Sequence, residues 1–281
     1  SIKNFLIFNK INLKNLVFTE TDFKINRSSF EFFFNLLKNT VAQQNIDFIN
    51  NKLFFLDQSD NVIFFTDVIK LNYLYQEILS NKIKSRLKIF NLPISLVAKH
   101  DLQEKNIFTE IYFNSLKLKI KNNLNYSDDQ LNGQVDLNLI NKEKTVEYVF
   151  KDNSLIFNSI DNKLSGEINI KPFYLFSKLN LYEIELKKFL RENSIIVNLL
   201  KSEILNNRNL NGKISITANN LKDLKHINEI KFDIKFQEGT ILITNLNFIF
   251  KDSINFEIND VNLIIENNKL KFIGDASSNF K

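Results

Sequence analysis

Apolar and polar residues alternate along most of the chain, as they do in a β-strand that has one apolar side. The clearest case is IKFDIKF at residues 230–236, where four apolar residues fall on one side of an extended chain and Lys231, Asp233 and Lys235 on the other. Similar units recur about every 10 to 15 residues, separated by residues that favour turns. This spacing predicts an antiparallel β meander.

Two stretches depart from the alternation and predict helices. The first lies near residues 28–39, where a serine can cap the helix and apolar residues recur at helical spacing. The second is a helical interlude within residues 172–206, with helix from about residue 183 to residue 205. The predicted fold class is therefore mainly β with a few helices, in one continuous β-rich segment that spans residues 1–281.

The composition narrows the classes of function. With 44% hydrophobic and 25% charged residues the chain has the balance of a folded protein. Its net charge is +5, but the lysines are spread along the whole sequence rather than clustered, so we expect no nucleic-acid partner. Methionine is absent, so we expect a segment of a longer or processed chain. No run of about 18 apolar residues occurs, and any membrane anchor is therefore expected outside this segment.

The residues that carry most enzyme and metal chemistry are scarce. There is no cysteine, and the only histidines, His100 and His226, stand apart and are expected on surface loops or turns. We therefore expect no metal site, no cofactor and no catalytic residues. Carboxylate pairs are the open exception, because two distant acids can form a glycosidase site. The local candidates are Asp57 with Asp60 and Asp128 with Asp129, although such residues are more often simple turn formers.

Adjacent phenylalanines indicate strands that are apolar on both sides. The pairs at residues 54–55 and 64–65 must point to opposite faces of an extended chain. We expect one of those faces to rest on a helix and the other to line something concave. The alternative is an ordinary core, which is where clustered phenylalanine is usually found.

Four stretches, together with the meander around them, carry a resemblance to a known family. They are KIFNLPISLVAKHD (residues 88–101), SGEINIKPFYLF (165–176), LLKSEILNNRNLNGKISITANNL (199–221) and KFQEGTILITNLNF (235–248). The chain resembles the AsmA-like family of bacterial envelope proteins. It is most similar to the divergent members, rich in Asn, Lys and Phe, of alphaproteobacteria.

The resemblance implies a fold, a place and a function. The fold would be a long antiparallel sheet curled into a trough or half-pipe with an apolar inner wall. An N-terminal helix outside this segment would anchor the protein in the inner membrane, and the trough would extend into the periplasm. The resemblance further implies a non-enzymatic role in outer-membrane biogenesis, in which phospholipid or another acyl lipid moves between the membranes.

Alternation supplies the candidate lining of such a trough, and each methylene buried there would contribute about 0.8 kcal/mol. The candidates are Ile214, Ile216, Ile230, Phe232, Ile234, Phe236, Phe256, Ile258, Leu263 and Ile265. Two alternatives stay open at this point. One is a structural or interaction β-protein of the envelope with a closed core, and the other is a glycan-active enzyme built on paired carboxylates.

Overall fold

The structure is a computed structural model, and it describes most of the β-rich part of the chain. The described residues are 15–26, 45–56, 60, 62–76, 80–126, 131–139, 142–151, 154–170, 173–185, 187, 207–266 and 269–280. The chain divides into two compact units. Unit 1 comprises residues 1–114 and 121–123, and unit 2 comprises residues 115–120 and 124–281.

Unit 1 is a mixed sheet in which consecutive hairpins place strands 3 to 7 side by side. Strands β3 to β7 pair antiparallel, each with the next, whereas β1 and β2 both pair parallel with β3. The strands are β1 (Asn15–Thr19), β2 (Asp22–Ile25), β3 (Asn45–Leu56), β4 (Val62–Gln76), β5 (Ser80–Ile89), β6 (Leu92–Asp101) and β7 (Asn106–Phe113). The next strand, β8 (Leu118–Tyr126), contributes residues to both units.

Unit 2 is also mixed. Strands β9 to β13 and strands β14 to β18 form two antiparallel runs, and β13 joins β14 in parallel. The strands are β9 (Leu131–Leu139), β10 (Lys142–Lys151), β11 (Ser154–Ser159), β12 (Leu164–Ile170), β13 (Phe173–Ile184), β14 (Asn211–Leu221), β15 (Leu224–Gln237), β16 (Thr240–Phe250), β17 (Ile254–Glu266) and β18 (Lys269–Phe280).

The prediction of a mainly β fold is confirmed, but the prediction of a wholly antiparallel meander is wrong at three strand pairs. A tight turn can only join antiparallel neighbours, and a parallel pair needs a longer crossover. The connection from β13 to β14 spans residues 185–210, which is long enough for that crossover. A sequence pattern of alternating residues is the same for both directions of pairing, so it could not distinguish them.

The helix prediction at the start of the 183–205 segment is also wrong. Residues 173–184 form β13, where Glu183 and Ile184 lie opposite Asn220 and Leu221 of β14. Pairing with a neighbouring strand here overrides the helical spacing of the apolar residues. Among the described residues only Lys187 is helical, and the rest of the predicted second helix and all of the helix near residues 28–39 lie outside the described residues.

At some positions the alternation of apolar and polar residues shifts by one, and a bulge there keeps the apolar side chains on one side of the strand. In β16 the apolar residues run 241 and 243 and then 246, 248 and 250, and Asn245 between the two sets has a φ of 54°. Glu229 in β15 and Asp260 in β17 also have positive φ values beside register shifts. Each acts as a bulge, which adds one residue and returns the following side chains to the same face.

A buried asparagine of β3 bonds the backbone at the junction between β1 and β2 in unit 1. Asn51 is 1% exposed, and its Oδ1 accepts a hydrogen bond from the Thr21 N–H at 2.7 Å. Its Nδ2 donates to the Phe18 carbonyl at 3.1 Å. These two bonds satisfy backbone groups at the break between β1 and β2, where the sheet ladder itself is interrupted.

Candidate functional site

The stretch IKFDIKF lies in β15, and its apolar residues meet apolar residues of β14. The register places Ile234 opposite Ile214, Phe232 opposite Ile216, and Ile230 opposite Ala218. Directly opposed side chains on one face of a sheet are in contact distance. The alternating apolar residues of β15 therefore lie opposite apolar residues of β14.

The same side continues over the neighbouring strands. On one flank Leu179 and Leu181 of β13 lie beside Ile216 and Ala218, and on the other flank Ile243 of β16 lies beside Ile234. We call this surface the apolar face of unit 2. It comprises Leu179, Leu181, Ile214, Ile216, Ala218, Ile230, Phe232, Ile234, Phe236, Ile241, Ile243, Leu246, Phe248, Phe256 and Ile258.

The outer part of this face is aromatic. Phe256 of β17 lies opposite Phe248 of β16, and their rings stack with centroids 5.0 Å apart. Ile258 lies opposite Leu246 in the same way. Leu246 and Phe248 pack against the buried cluster that contains Ile230, so the side chains of all five strands from β13 to β17 form one surface.

Eight of the ten sequence-predicted lining residues thus lie on one face. The other two, Leu263 and Ile265, lie on β17 beyond the bulge at Asp260. Their side chains are outside the description, so only their strand position is established. That the ten residues line a trough stays a prediction.

Burial is uneven across the apolar face. Ile216, Ile230 and Phe236 are only 4–5% exposed. Their neighbours Ile214 and Phe232 are half-buried, as are Ile234, Phe256 and Ile258. The face therefore has a closely packed centre and retains accessible apolar surface around it.

The reverse side of β14 and β15 is polar and internally hydrogen-bonded. The carboxylate of Asp233 receives a salt bridge from Lys213 at 2.8 Å and hydrogen bonds from Ser215 Oγ at 2.7 Å and Asn245 Nδ2 at 2.8 Å. Nearby, Thr217 Oγ1 donates to Asn180 Oδ1 at 2.6 Å. Because a slip by one residue would exchange the two sides, these pairs and the apolar pairs specify the same register.

The Asp233 cluster predicts an acid-sensitive contribution to stability. Burial alone would raise the pKa of Asp233, but the hydrogen bonds from Lys213, Ser215 and Asn245 outweigh it and lower the pKa. An unfolded aspartate titrates near 3.9. A lowered folded pKa means that the stabilisation is present above about pH 4 and is lost as the pH falls through the folded pKa.

We therefore expect the melting temperature of the native protein to fall more steeply below about pH 4 than that of the Asp233→Asn variant. The measurement is thermal unfolding by circular dichroism between pH 7 and pH 2.5. Equal slopes for the two proteins would contradict this account.

Sequence reasoning missed two features of this site. Leu179 and Leu181 lie in the predicted helical interlude, although they alternate as strand residues do. Gly212 is the second feature. It lies directly opposite Phe236, and a Cβ at this position would clash with the Phe236 ring and lie 2.6 Å from the Leu175 carbonyl oxygen. The Phe236 ring therefore occupies the space that a side chain at position 212 would need.

Candidate catalytic and metal-binding residues are not brought together among the described residues. Asp60 is exposed at a bend, while Asp57 and the pair Asp128 and Asp129 lie outside the described part of the chain. Within the described ranges no three His, Cys, Asp or Glu side chains are grouped closely enough to hold a metal ion.

The two histidines differ from each other. His226 is exposed in β15 and meets the ring of Phe250 edge-on at 6.2 Å. The surface position expected for His100 is wrong, because it is 3% exposed within β6. Burial lowers the pKa of His100, partly offset by Asp101, which favours the neutral imidazole.

Comparisons with known proteins leave the resemblance untested. No protein-family model and no curated protein sequence matches this chain. Among the residues that the structure describes, no helix has both the length and the apolar character needed to cross a membrane.

Proposed function

We propose that the protein is a non-enzymatic envelope protein that binds or conducts phospholipid, or another acyl lipid, along the apolar face of unit 2. One observation carries this proposal: apolar side chains run without interruption across five strands, and many of them keep exposed surface while the reverse side is polar. A surface of this kind can hold a hydrocarbon chain by the same physics that builds a protein core.

The dimensions of the face support the proposal. Neighbouring strands are about 4.8 Å apart, so the row of side chains from β13 to β17 extends over about 19 Å. That length is similar to an extended acyl chain of a membrane phospholipid. Each buried methylene contributes about 0.8 kcal/mol, so an acyl chain that covered only part of this row would still gain free energy of binding.

The remaining parts of the proposal follow from the resemblance to the AsmA-like family. We propose that the sheet is curled into a trough, that a membrane anchor outside this segment attaches the protein to the inner membrane, and that the trough lies in the periplasm. Lipid would slide along the apolar side chains with its headgroup in water. No bond is made or broken, so the chain needs neither a cofactor nor a catalytic residue for this activity.

Photo-crosslinking at two adjacent positions tests the proposal. We expect benzoylphenylalanine in place of Phe232, on the apolar face, to form adducts with phospholipid in cells or in vesicles of phosphatidylethanolamine and phosphatidylglycerol. The same substitution at Lys231, which lies on the other side of β15 and is exposed, should form few or none. Mass spectrometry of the crosslinked protein identifies the adduct.

A second candidate function is a structural or interaction module whose apolar face is a closed core. The low exposure of Ile216, Ile230 and Phe236 favours it. In that case the probe at position 232 should crosslink only to other residues of this chain. An absence of lipid adducts at position 232, or equal adducts at positions 231 and 232, would overturn the lipid proposal.

A further inference from the structure

Unit 1 has a group of buried polar side chains in the middle of an apolar surface. Tyr73 of β4 lies directly opposite Ile83 of β5, and Asn81 and Ser85 are the residues two positions before and after Ile83. Both are therefore diagonal neighbours of Tyr73 on the same face, within reach of its long side chain. His100 of β6 lies opposite Asn81 and adds a fourth polar side chain to this face.

Three of these side chains have polar atoms that no described residue satisfies. Asn81 is 5% and Ser85 is 6% exposed. Asn81 Oδ1, Ser85 Oγ and Tyr73 Oη are each buried and have no hydrogen-bond partner among the described residues. A buried polar atom without a partner destabilises a fold, so native proteins rarely keep one.

Around this cluster the described side chains on the same face are mostly apolar, and none of them is charged. Ile83 stands between Asn81 and Ser85, Ala98 is 9% exposed opposite Ile83, and Ile107 is 5% exposed opposite His100. The nearby lysines at positions 82, 84 and 99 alternate to the other side of their strands. Burial raises the pKa of Tyr73 and lowers that of His100, so both are neutral at pH 7.

We propose that Tyr73, Asn81 and Ser85 form a binding site for the uncharged, hydroxyl-bearing head of an amphiphile. A hydroxyl group donates one hydrogen bond and accepts others, which complements an amide oxygen and two hydroxyls. The apolar side chains beside the cluster would contact the tail. This inference does not depend on the proposed function, because it concerns unit 1 alone.

The chemistry of the cluster disfavours charged heads. Among the described residues on this face of β4, β5 and β6 there is no cation to pair with a phosphate or carboxylate head and no carboxylate to pair with an ammonium head. The three oxygens are also a poor set for a metal ion, since none carries a charge. A glycerol-type diol is the simplest head that can reach two of the three oxygens together.

Binding of two lauroyl compounds to conservative variants tests the site. The probes are monolauroylglycerol, which has a diol head, and methyl laurate, which has the same acyl chain and no hydroxyl. The variants Tyr73→Phe and Ser85→Ala each remove one hydroxyl and keep the shape. The matched controls are Tyr112→Phe and Ser95→Ala, which lie opposite each other on the reverse side of β6 and β7.

We expect each cluster variant to weaken monolauroylglycerol binding about fivefold to tenfold, measured by isothermal titration calorimetry. Binding of methyl laurate should not change, and the controls should bind both probes as the native protein does. We also expect the cluster variants to melt at the same or a higher temperature without the probe, because a buried unsatisfied hydroxyl has been removed.

Two results would overturn the inference. One is that the native protein does not prefer monolauroylglycerol to methyl laurate. The other is that the cluster variants melt well below the controls, which would show that the hydroxyls support the fold. Either outcome is separate from failure of the phospholipid proposal, because that proposal is tested by crosslinking at Phe232 in unit 2.

Discussion

Replacing Phe236 with alanine is expected to lower the free energy of unfolding by about 3–5 kcal/mol, the range for removal of a well-packed phenylalanine. Phe236 is 5% exposed, and its ring covers the position at Gly212 where other residues have a side chain. Ile241 lies on its other side, directly opposite in β16. The substitution would therefore leave a cavity that neither neighbouring strand can fill.

Urea denaturation followed by circular dichroism measures this loss. A matched control is Tyr182→Ala in the same unit, because Tyr182 is a large aromatic residue that is 71% exposed in β13. We expect the control to change the free energy of unfolding by less than about 1 kcal/mol. Similar losses for the two variants would show that the centre of the apolar face is not packed as described.

The second large effect is expected at Gly166 of β12, where alanine should destabilise unit 2 by at least about 2 kcal/mol. A Cβ at this position would clash with the Phe176 carbonyl oxygen, and it would lie 2.6 Å from Phe157 Cζ and 2.9 Å from Ser177 Cα. Two of these three atoms belong to the backbone of β13. A change of rotamer at Phe157 therefore cannot relieve the clash.

The control for Gly166 is its neighbour Ser165, whose side chain points to the other side of β12 and is half-buried. We expect Ser165→Ala to cost less than about 1 kcal/mol, because the Ser165 group that bonds Ser177 Oγ is its backbone carbonyl. Urea denaturation of both variants checks this. If Gly166→Ala were as stable as the native protein, the close approach of β12 and β13 would be wrong.

The Phe236→Ala and Gly166→Ala variants test packing, whereas the crosslinking probe at position 232 tests lipid binding. Phe236 and Gly166 act through the fold, so their variants should lose stability whether or not lipid is present. The probe at Phe232 keeps the phenyl ring, adds a benzoyl group to it, and reports on what contacts a half-buried position. A stable protein that crosslinks lipid at position 232 is the combination that the lipid proposal requires.

The sequence by itself determined the local features of this protein. Alternation with period two is a property of each strand alone, so it identified the strand at residues 230–236 and the side on which its apolar residues lie. Changes of phase were also visible in the sequence. In β16 the apolar residues step from 243 to 246, and the structure shows that a bulge at Asn245, which has a positive φ, lies between them.

The tertiary structure alone decided which strands are neighbours and what each side chain meets. Residues 173–184 became β13 because β14 offers a parallel partner, although the sequence around them suggested a helical interlude. The burial of His100 and of the polar group around Tyr73 depends in the same way on β4, β5 and β6 lying side by side. Long-range register is set by the sum of many cross-strand pairs, and no short stretch of sequence contains that sum.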